Sequence, residues 1–214
     1  MEFDFEALAA DDRYKLLTST IVPRPIAWVT TLSKNGVRNA APFSFFNAMS
    51  KDPPLLAVGI MADGDGSMKD TARNILDTGE FVVNLVPREA AEAMNLTSID
   101  APPDVDELVL AKLDTLPSVK VKPERIAISP VSFECRLHTP IRLANQLIAL
   151  GEVVQAHIAD AKMLNIAKSY VDTPAMHLIG RMHGRGLYVT TDNMFEMPRP
   201  EAYAAMQKRE EAQD

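Results

Sequence analysis

The sequence has little cysteine, no excess of positive charge and no long apolar run, and each absence removes a class of protein. Of 214 residues only Cys135 is a cysteine, so no intrachain disulfide can form and a reducing cytoplasm is the expected location. The formal net charge of −7 argues against nonspecific binding to nucleic acid or to an anionic membrane surface. No apolar run approaches the roughly 20 residues that span a bilayer, and the acidic first residues do not predict a signal peptide.

What remains is the composition of a globular protein that can bury a core. Hydrophobic residues make up 47% and charged residues 24% of the chain, and no internal repeat or low-complexity block interrupts it. We therefore expect a helical lead-in over residues 1–20, one domain over residues 21–192 and a surface tail over residues 193–214.

Strand patterns dominate residues 21–192. The β-rich run 26–31 and the return run 37–42 flank Asn35-Gly36, a pair that is typical of a tight hairpin. Further short strands are predicted over residues 55–60, 81–86, 131–137, 147–158 and 186–191. Helices are predicted over residues 67–78, 89–96, 106–113 and 161–172. About six strands, mostly in hairpin order, predict a mainly β fold, an antiparallel barrel with peripheral helices.

The segment 67–75, SMKDTARNI, has a pattern that suits a phosphate at the start of a helix. Backbone N–H groups at a helix N-terminus are unpaired and carry partial positive charge. Ser67 and Thr71 would add hydroxyl donors, Lys69 a full charge and Asn74 an amide. The same letters also fit a capped surface helix with Lys69 in solvent, which is the commoner meaning of this segment alone.

The segment 39–44, NAAPFS, suits the approach of a flat polar ring to the backbone. Its residues are small, and threonines that close the preceding strand are expected to face the same opening across the hairpin. The alternative is an ordinary turn followed by core aromatics. The residues of interest are Thr30, Thr31, Asn39, Ala40, Ala41 and Ser44. Together with the helix pattern, this segment predicts a phosphorylated aromatic cofactor such as FMN.

Other chemistry is not indicated. The four histidines are scattered without metal-binding spacing, so we expect no metal site. The acidic loop 63–66 is similar to the start of a calcium loop, but its twelfth position is Asn74 and not a glutamate. Cys135 alternates with charged neighbours and is expected to point into the core. We predict no catalytic side chain, because hydride arrival at a flavin requires no acid or base from the protein.

Four blocks in this order resemble one family. They are PRPIAWVTT, NGVRNAAPFSFFNAMSKDPPLLAVGI, KDTARNI and GEFVVNLV. They resemble the flavin reductase-like FMN-binding split barrels, in the branch of flavoredoxin and of the reductase component of nitrilotriacetate monooxygenase. The resemblance covers roughly residues 13–160. It implies a six-stranded antiparallel Greek-key barrel and a homodimer that binds FMN near the subunit interface.

The resemblance also implies residue roles. The isoalloxazine ring would be held by Thr30, Thr31, Asn39, Ala40, Ala41 and Ser44, and the phosphate by Ser67, Lys69, Thr71 and Asn74. Arg24 lies in the first block without an assigned partner. Where many relatives have a Gly-Asp-His step associated with nicotinamide binding, this chain has Asn145 and Gln146. FMN binding is therefore better supported than the use of NADH or NADPH.

Three functions stay open at this point. The first is an NAD(P)H:flavin oxidoreductase that feeds a monooxygenase component. The second is a protein that holds FMN tightly and either carries electrons or reduces another small substrate. The third is a flavin-binding or other ligand-binding dimer without turnover. The loop 97–117 is typical of a lid or a partner surface, and the segment 181–186 fits a plain turn better than a mobile basic loop over the site. Neither loop has an assigned role.

Overall fold

The computed structural model describes residues 1–184 and 186–198. Arg185 in the predicted loop and residues 199–214 of the predicted tail lie outside them. The strands in chain order are β1 (Arg24–Pro25), β2 (Ala27–Leu32), β3 (Arg38–Phe43), β4 (Phe45–Lys51), β5 (Pro54–Ile60), β6 (Glu80–Leu85), β7 (Thr115–Leu116), β8 (Arg125–Ile126), β9 (Val131–Leu143), β10 (Gln146–Ile158), β11 (Met163–Asn165), β12 (Tyr170–Val171), β13 (Ile179–Arg181) and β14 (Tyr188–Thr190). The α-helices are α1 (Ala10–Thr20), α2 (Asp70–Thr78), α3 (Ala91–Leu96) and α4 (Glu107–Leu110), with single 3₁₀ turns at Arg88–Ala90, Asp160–Lys162 and Pro174–Met176.

The main sheet is antiparallel and has the strand order β3-β2-β6-β9-β10-β5-β4. The prediction of a mainly β antiparallel fold is confirmed, with seven strands in this sheet where six were expected. The additional strand, β4, lies in a stretch interpreted as a loop, because its side chains are largely exposed and give no alternating pattern. Ser44 alone separates β3 from β4, so the two outermost strands of the sheet meet at one residue.

The Asn35-Gly36 hairpin is confirmed and fixes which residues share a face. The Ser33 N–H donates to the Val37 carbonyl at 2.9 Å, and Gly36 has a φ of 82°, which glycine adopts without strain. The register pairs Thr31 with Asn39, and one step along it pairs Thr30 with Ala40. Because side chains alternate along a strand, these two pairs lie on opposite faces of the sheet.

Two apolar clusters lie on these opposite faces. The first contains Val29 and Val58 of the sheet and Ile75 of α2. The second contains Trp28 of β2 with Met94 of α3 and Leu108 of α4, all nearly inaccessible to solvent. Each fully buried side chain of this size contributes about 1.5–3 kcal/mol. The face of the hairpin that carries Thr31 is therefore the face on which α2 packs.

Gly151 marks a bend in the long hairpin of β9 and β10. The pairing register shifts between Leu150 and Gly151, and a Cβ atom at position 151 would overlap the ring of Phe81. The prediction of a bulge or corner at this glycine is confirmed, and close packing explains it.

The predicted helix over residues 161–172 is wrong. A 3₁₀ turn there leads into the paired strands β11 and β12. Leu164 and Ile166 are 69% and 76% exposed, so no core-facing stripe exists to stabilise a helix. The last strand, β14, is shorter than predicted. Within the described residues, no helix combines the length and apolarity that a membrane crossing requires.

Candidate functional site

Two buried hydrogen bonds join the hairpin to α2. The Asn39 Nδ2 group donates to Thr71 Oγ1 at 2.9 Å, and the Asn74 Nδ2 group donates to Thr31 Oγ1 at 3.0 Å. All four residues are buried. We call Thr31, Asn39, Thr71 and Asn74 the α2 junction. The two segments that the sequence predicted to share a pocket therefore face each other.

The start of α2 has no side-chain cap. The helix begins at Asp70, three residues later than predicted, and Lys69 at the N-cap has an extended backbone and caps nothing. In α4, by contrast, the Asp106 carboxylate accepts from the N–H groups of Leu108 and Val109 at 3.0 and 3.2 Å. An anion at the start of α2 would thus meet N–H groups that the N-cap side chain does not use.

Ser67 lies outside the helix, in an exposed loop. Its N–H donates to the Asp65 carboxylate at 2.8 Å, and this bond holds the pKa of Asp65 below its ordinary value. On the other side of the loop, the Asn145 amide donates to the Gly66 carbonyl at 2.6 Å. The turn between β9 and β10 thus contacts the loop that leads into α2, a role that the sequence did not suggest for Asn145.

Lys69 is held by two carboxylates. Its ammonium group forms ion pairs with Asp63 and, at 3.1 Å, with Asp100. Burial alone would lower the pKa of Lys69, but hydrogen bonding to Asp63 and Asp100 outweighs burial and raises it. The side chain is 31% exposed, so Lys69 is neither free in solvent nor isolated. Sequence reasoning missed both partners, because it considered the acidic loop 63–66 only as a calcium loop.

A small cavity opens beside the α2 junction. Asn39, Ala41, Lys69 and Thr71 line it together with residues 99–101 and the acidic residues Asp63, Asp70 and Glu107. Its volume is about 40 Å³, which is room for a few water molecules and not for a cofactor. The small side chain of Ala41 helps to keep this space open.

The outermost strand β3 presents its free edge beside this cavity. Ala40 directs its N–H away from β2, toward Glu107, whose Oε2 accepts from it at 3.2 Å. Burial raises the pKa of Glu107, against the lowering effect of its backbone hydrogen bonds. Glu107 was not predicted as a site residue, because it directly follows Asp106 at the start of a short apolar run and matches no motif.

Thr30 lies on the opposite face from the α2 junction. Its hydroxyl donates to the Glu124 carbonyl at 2.6 Å, and the Ala40 side chain packs in the second apolar cluster on that same face. Their side chains therefore do not line the small cavity, for the reason that a strand alternates its side chains. The expectation that both threonine hydroxyls face one opening is not met in this geometry.

Ser44 lines a second cavity farther along β3. This cavity has a volume of about 280 Å³ and includes Pro42, Arg181 and Tyr188. Arg24 donates to Ser44 Oγ at 3.3 Å and also to the carbonyls of Ile21 and Met182 at 3.0 and 3.1 Å. Arg24 therefore joins the end of α1 to the residue between β3 and β4 and to the end of β13.

Comparison with known proteins gives consistent matches. A sequence family described as "Flavin reductase like domain" matches residues 19–174. An uncharacterized protein of Deinococcus radiodurans is 39% identical over 216 residues, which covers 99% of this chain and 95% of that protein.

Solved structures match over nearly the whole chain. Nitrilotriacetate monooxygenase component B from Bacillus cereus aligns with a TM-score of 0.86 and 32% identity, covering 92% of this chain and 98% of that one. Pseudomonas fluorescens 2-nitrobenzoate 2-nitroreductase NbaA aligns with a TM-score of 0.84 and 31% identity, covering 94% and 96%. The resemblance drawn from the four sequence blocks is confirmed by these matches.

Proposed function

Since the chain belongs to the flavin reductase-like family, we propose that it is an FMN-binding oxidoreductase that transfers reducing equivalents through this flavin. The observation that carries the proposal is the α2 junction, where the hairpin and the start of α2 meet beside the free edge of β3. A phosphorylated planar cofactor needs an anion site and a backbone edge next to each other, and the start of α2 and the edge of β3 would supply them.

The phosphate would be held at the start of α2. Lys69 supplies the positive charge, Thr71 a hydroxyl, and the uncapped helix its backbone N–H groups. Asn74 orients the junction through its bond to Thr31, and Ser67 would close the site from the preceding loop. Charge-assisted contacts of this kind are the stronger hydrogen bonds in proteins.

The isoalloxazine ring would lie along β3. Asn39 and Ala41 line the small cavity, and Ser44 lines the one of about 280 Å³. The ring would lie between these two cavities, along the outer edge of the strand. The Ala40 N–H donates to Glu107, so Ala40 would contribute through its backbone by exchanging this acceptor for the ring. Thr30 would support the hairpin from the opposite face. The bound FMN would supply the hydride and electron transfer, while these residues bind and orient it.

The electron source is proposed to be NADH or NADPH, and the acceptor a monooxygenase component. The structural similarity to a component B of nitrilotriacetate monooxygenase supports the monooxygenase partner.

A second candidate is the reduction of a small aromatic substrate on a tightly held FMN. Two observations favour it: the similarity to a 2-nitrobenzoate 2-nitroreductase and an apolar cavity of about 620 Å³. That cavity is lined by residues such as Pro25, Phe46, Leu56, Phe133 and Met194, and its volume is typical of small-molecule sites.

We also propose a homodimer. The free edge strand β4 carries Phe45 and Met49, which are 38% and 57% exposed. An apolar edge strand left open is a site of association. Sedimentation of the purified protein should give twice the chain mass, and a monomer at micromolar concentration would contradict the dimer.

The function is tested by the visible spectrum of the purified protein, followed by titration with FMN and addition of NADH or NADPH. We expect a yellow protein, or a colourless one that binds FMN. Bleaching by NADH or NADPH with turnover of free FMN would identify the flavin reductase. Retained FMN with reduction of a nitroaromatic probe would identify the second candidate. Failure to bind FMN would leave a non-catalytic dimer.

A further inference from the structure

Residues 98–105 form an exposed strap across the small cavity, held at both ends. At one end Trp28 Nε1 donates to the buried Thr97 Oγ1 at 2.9 Å. At the other end Arg38 Nε donates to Asp106 Oδ2 at 2.7 Å, and Asp106 also caps α4. A segment with two fixed ends and an exposed middle is able to move without disturbing the sheet.

The side-chain contact between the middle of the strap and α2 is an ion pair. Asp100 lies 3.1 Å from the Lys69 ammonium, and the Asp100 side chain is 74% exposed. The backbone bond of Val105 to Pro102 lies within the strap itself. An exposed ion pair of this kind is weak and is easily exchanged for another anion.

Asp100 stands where a phosphate would bind. The cavity next to Lys69 measures about 40 Å³ with residues 99–101 in place, which excludes FMN. A phosphate dianion beside Lys69 would also face the Asp100 carboxylate, and like charges at contact distance repel. The Lys69 ammonium already pairs with Asp63 and Asp100 at once, so a phosphate that takes a contact with it would compete with Asp100, the more exposed of the two carboxylates.

We propose that the strap 98–105 is an autoinhibitory lid. In the closed lid Asp100 is ion-paired with Lys69, and a phosphorylated ligand displaces Asp100 when it binds. The inference rests on the proposed binding of FMN at the start of α2. It adds that the closed strap lowers the affinity for the phosphate ester and that phosphate binding releases the strap.

The test is a fluorescence titration of the full-length apoprotein with FMN and with riboflavin, which lacks the phosphate. The variant is Asp100→Asn. The matched control is Asp104→Asn, which removes the same charge from the same strap but lies at a different cleft, beside Arg73 and Asn74. We expect Asp100→Asn to tighten FMN binding about two- to fivefold and leave riboflavin affinity unchanged. Asp104→Asn should change neither.

Hydrogen exchange gives an independent readout. The strap amides should exchange faster in wild-type protein with FMN than without it, and faster in Asp100→Asn without ligand. If wild-type protein binds FMN but Asp100→Asn behaves as wild type, or equal shifts appear in both variants, the lid is refuted and the cofactor proposal stands. If wild-type protein does not bind FMN, the cofactor proposal and the lid fail together.

Discussion

Two polar clusters are buried on the main sheet, and their contacts differ in kind. One surrounds Glu134 of β9, which is fully buried. Its carboxylate accepts from the N–H groups of Val119, Lys120 and Val121 at 2.8, 2.5 and 3.2 Å and contacts His157 Nε2 at 2.5 Å. Burial alone would raise the pKa of Glu134, but these hydrogen bonds outweigh burial and lower it.

The α2 junction is the other cluster, and it is open on one side. Its side chains bond to one another, yet it borders a cavity, an uncapped helix start and a lysine paired with an exposed carboxylate. A polar group whose partners all lie within the fold holds the structure together. Polar groups that border a cavity and a helix N-terminus are placed to receive a ligand.

The largest effect is expected at the Glu134 cluster, which we call closed because the partners of its carboxylate all lie within the fold. Glu134→Gln leaves the three N–H groups without an anionic acceptor and should lower the free energy of unfolding by about 3 kcal/mol. FMN affinity of the folded variant should stay within about twofold of wild type, since the changed group is remote from α2. Urea unfolding and FMN titration measure the two, with the exposed Glu92→Gln of α3 as the control. If Glu134→Gln lost as much binding free energy for FMN as unfolding free energy, the two clusters would not differ in function.

The α2 junction with its neighbour Lys69, the open cluster, should show the reverse pattern: a large change in FMN affinity and a small change in stability. Lys69→Ala removes one charge-assisted phosphate contact of about 1.5–3 kcal/mol, so FMN should bind about 10- to 100-fold more weakly. Stability should change little, because the partly exposed ion pairs contribute at most about 1 kcal/mol. Lys34→Ala is the matched control, because Lys34 lies in the hairpin turn and pairs at 3.1 Å with Asp77 at the other end of α2. Unchanged FMN affinity in Lys69→Ala would mean that Lys69 forms ion pairs with Asp63 and Asp100 and does not bind the phosphate.

Two neighbouring threonines sharpen the comparison across one strand. Thr31→Val removes the hydrogen bond from Asn74, and Thr30→Val removes the bond to the Glu124 carbonyl together with a longer one from Asn84 at 3.4 Å. Each substitution should cost about 1 kcal/mol of stability. Only Thr31→Val should also weaken FMN binding, since only Thr31 belongs to the α2 junction. Thermal unfolding and FMN titration of both variants check this. Equal losses of FMN affinity in Thr31→Val and Thr30→Val would show that FMN binding does not depend on which face of the sheet the threonine occupies.

Lowering the pH should reduce the stability that the Glu134 cluster contributes. The pKa of Glu134 is lower in the folded chain than its ordinary 4.5, so the ionised carboxylate stabilises the fold above about pH 5. This contribution is lost as the pH falls through the folded pKa. The stability difference between wild type and Glu134→Gln should therefore shrink from pH 6 to pH 3. A difference that grows toward acid pH would mean that Glu134 is destabilising when ionised.

Local patterns in the sequence predicted the hairpin, most strands of the main sheet and the approximate start of α2. Asn35-Gly36 gave the hairpin, and the apolar runs gave most strands of the main sheet. The block around Lys69 gave a helix start close to the hairpin, although the first helical residue is Asp70 and not Ser67. These features depend on neighbours within a few residues.

The rest depends on contacts between distant residues. Asp100 lies 31 positions from Lys69, and Glu107 lies 67 positions from Ala40, so no spacing in the sequence announces either pair. β4 was missed because an exposed edge strand has no buried face to show an alternating pattern. The helix predicted over residues 161–172 failed for a related reason, since its apolar residues remain exposed.

The most direct test is a crystal structure of the protein with FMN. We expect the phosphate within hydrogen-bonding distance of Lys69 Nζ and the first N–H groups of α2, the ring along β3, and Asp100 withdrawn from Lys69. Density for FMN at any other place, with Lys69 still bound to Asp63 and Asp100, would contradict the account.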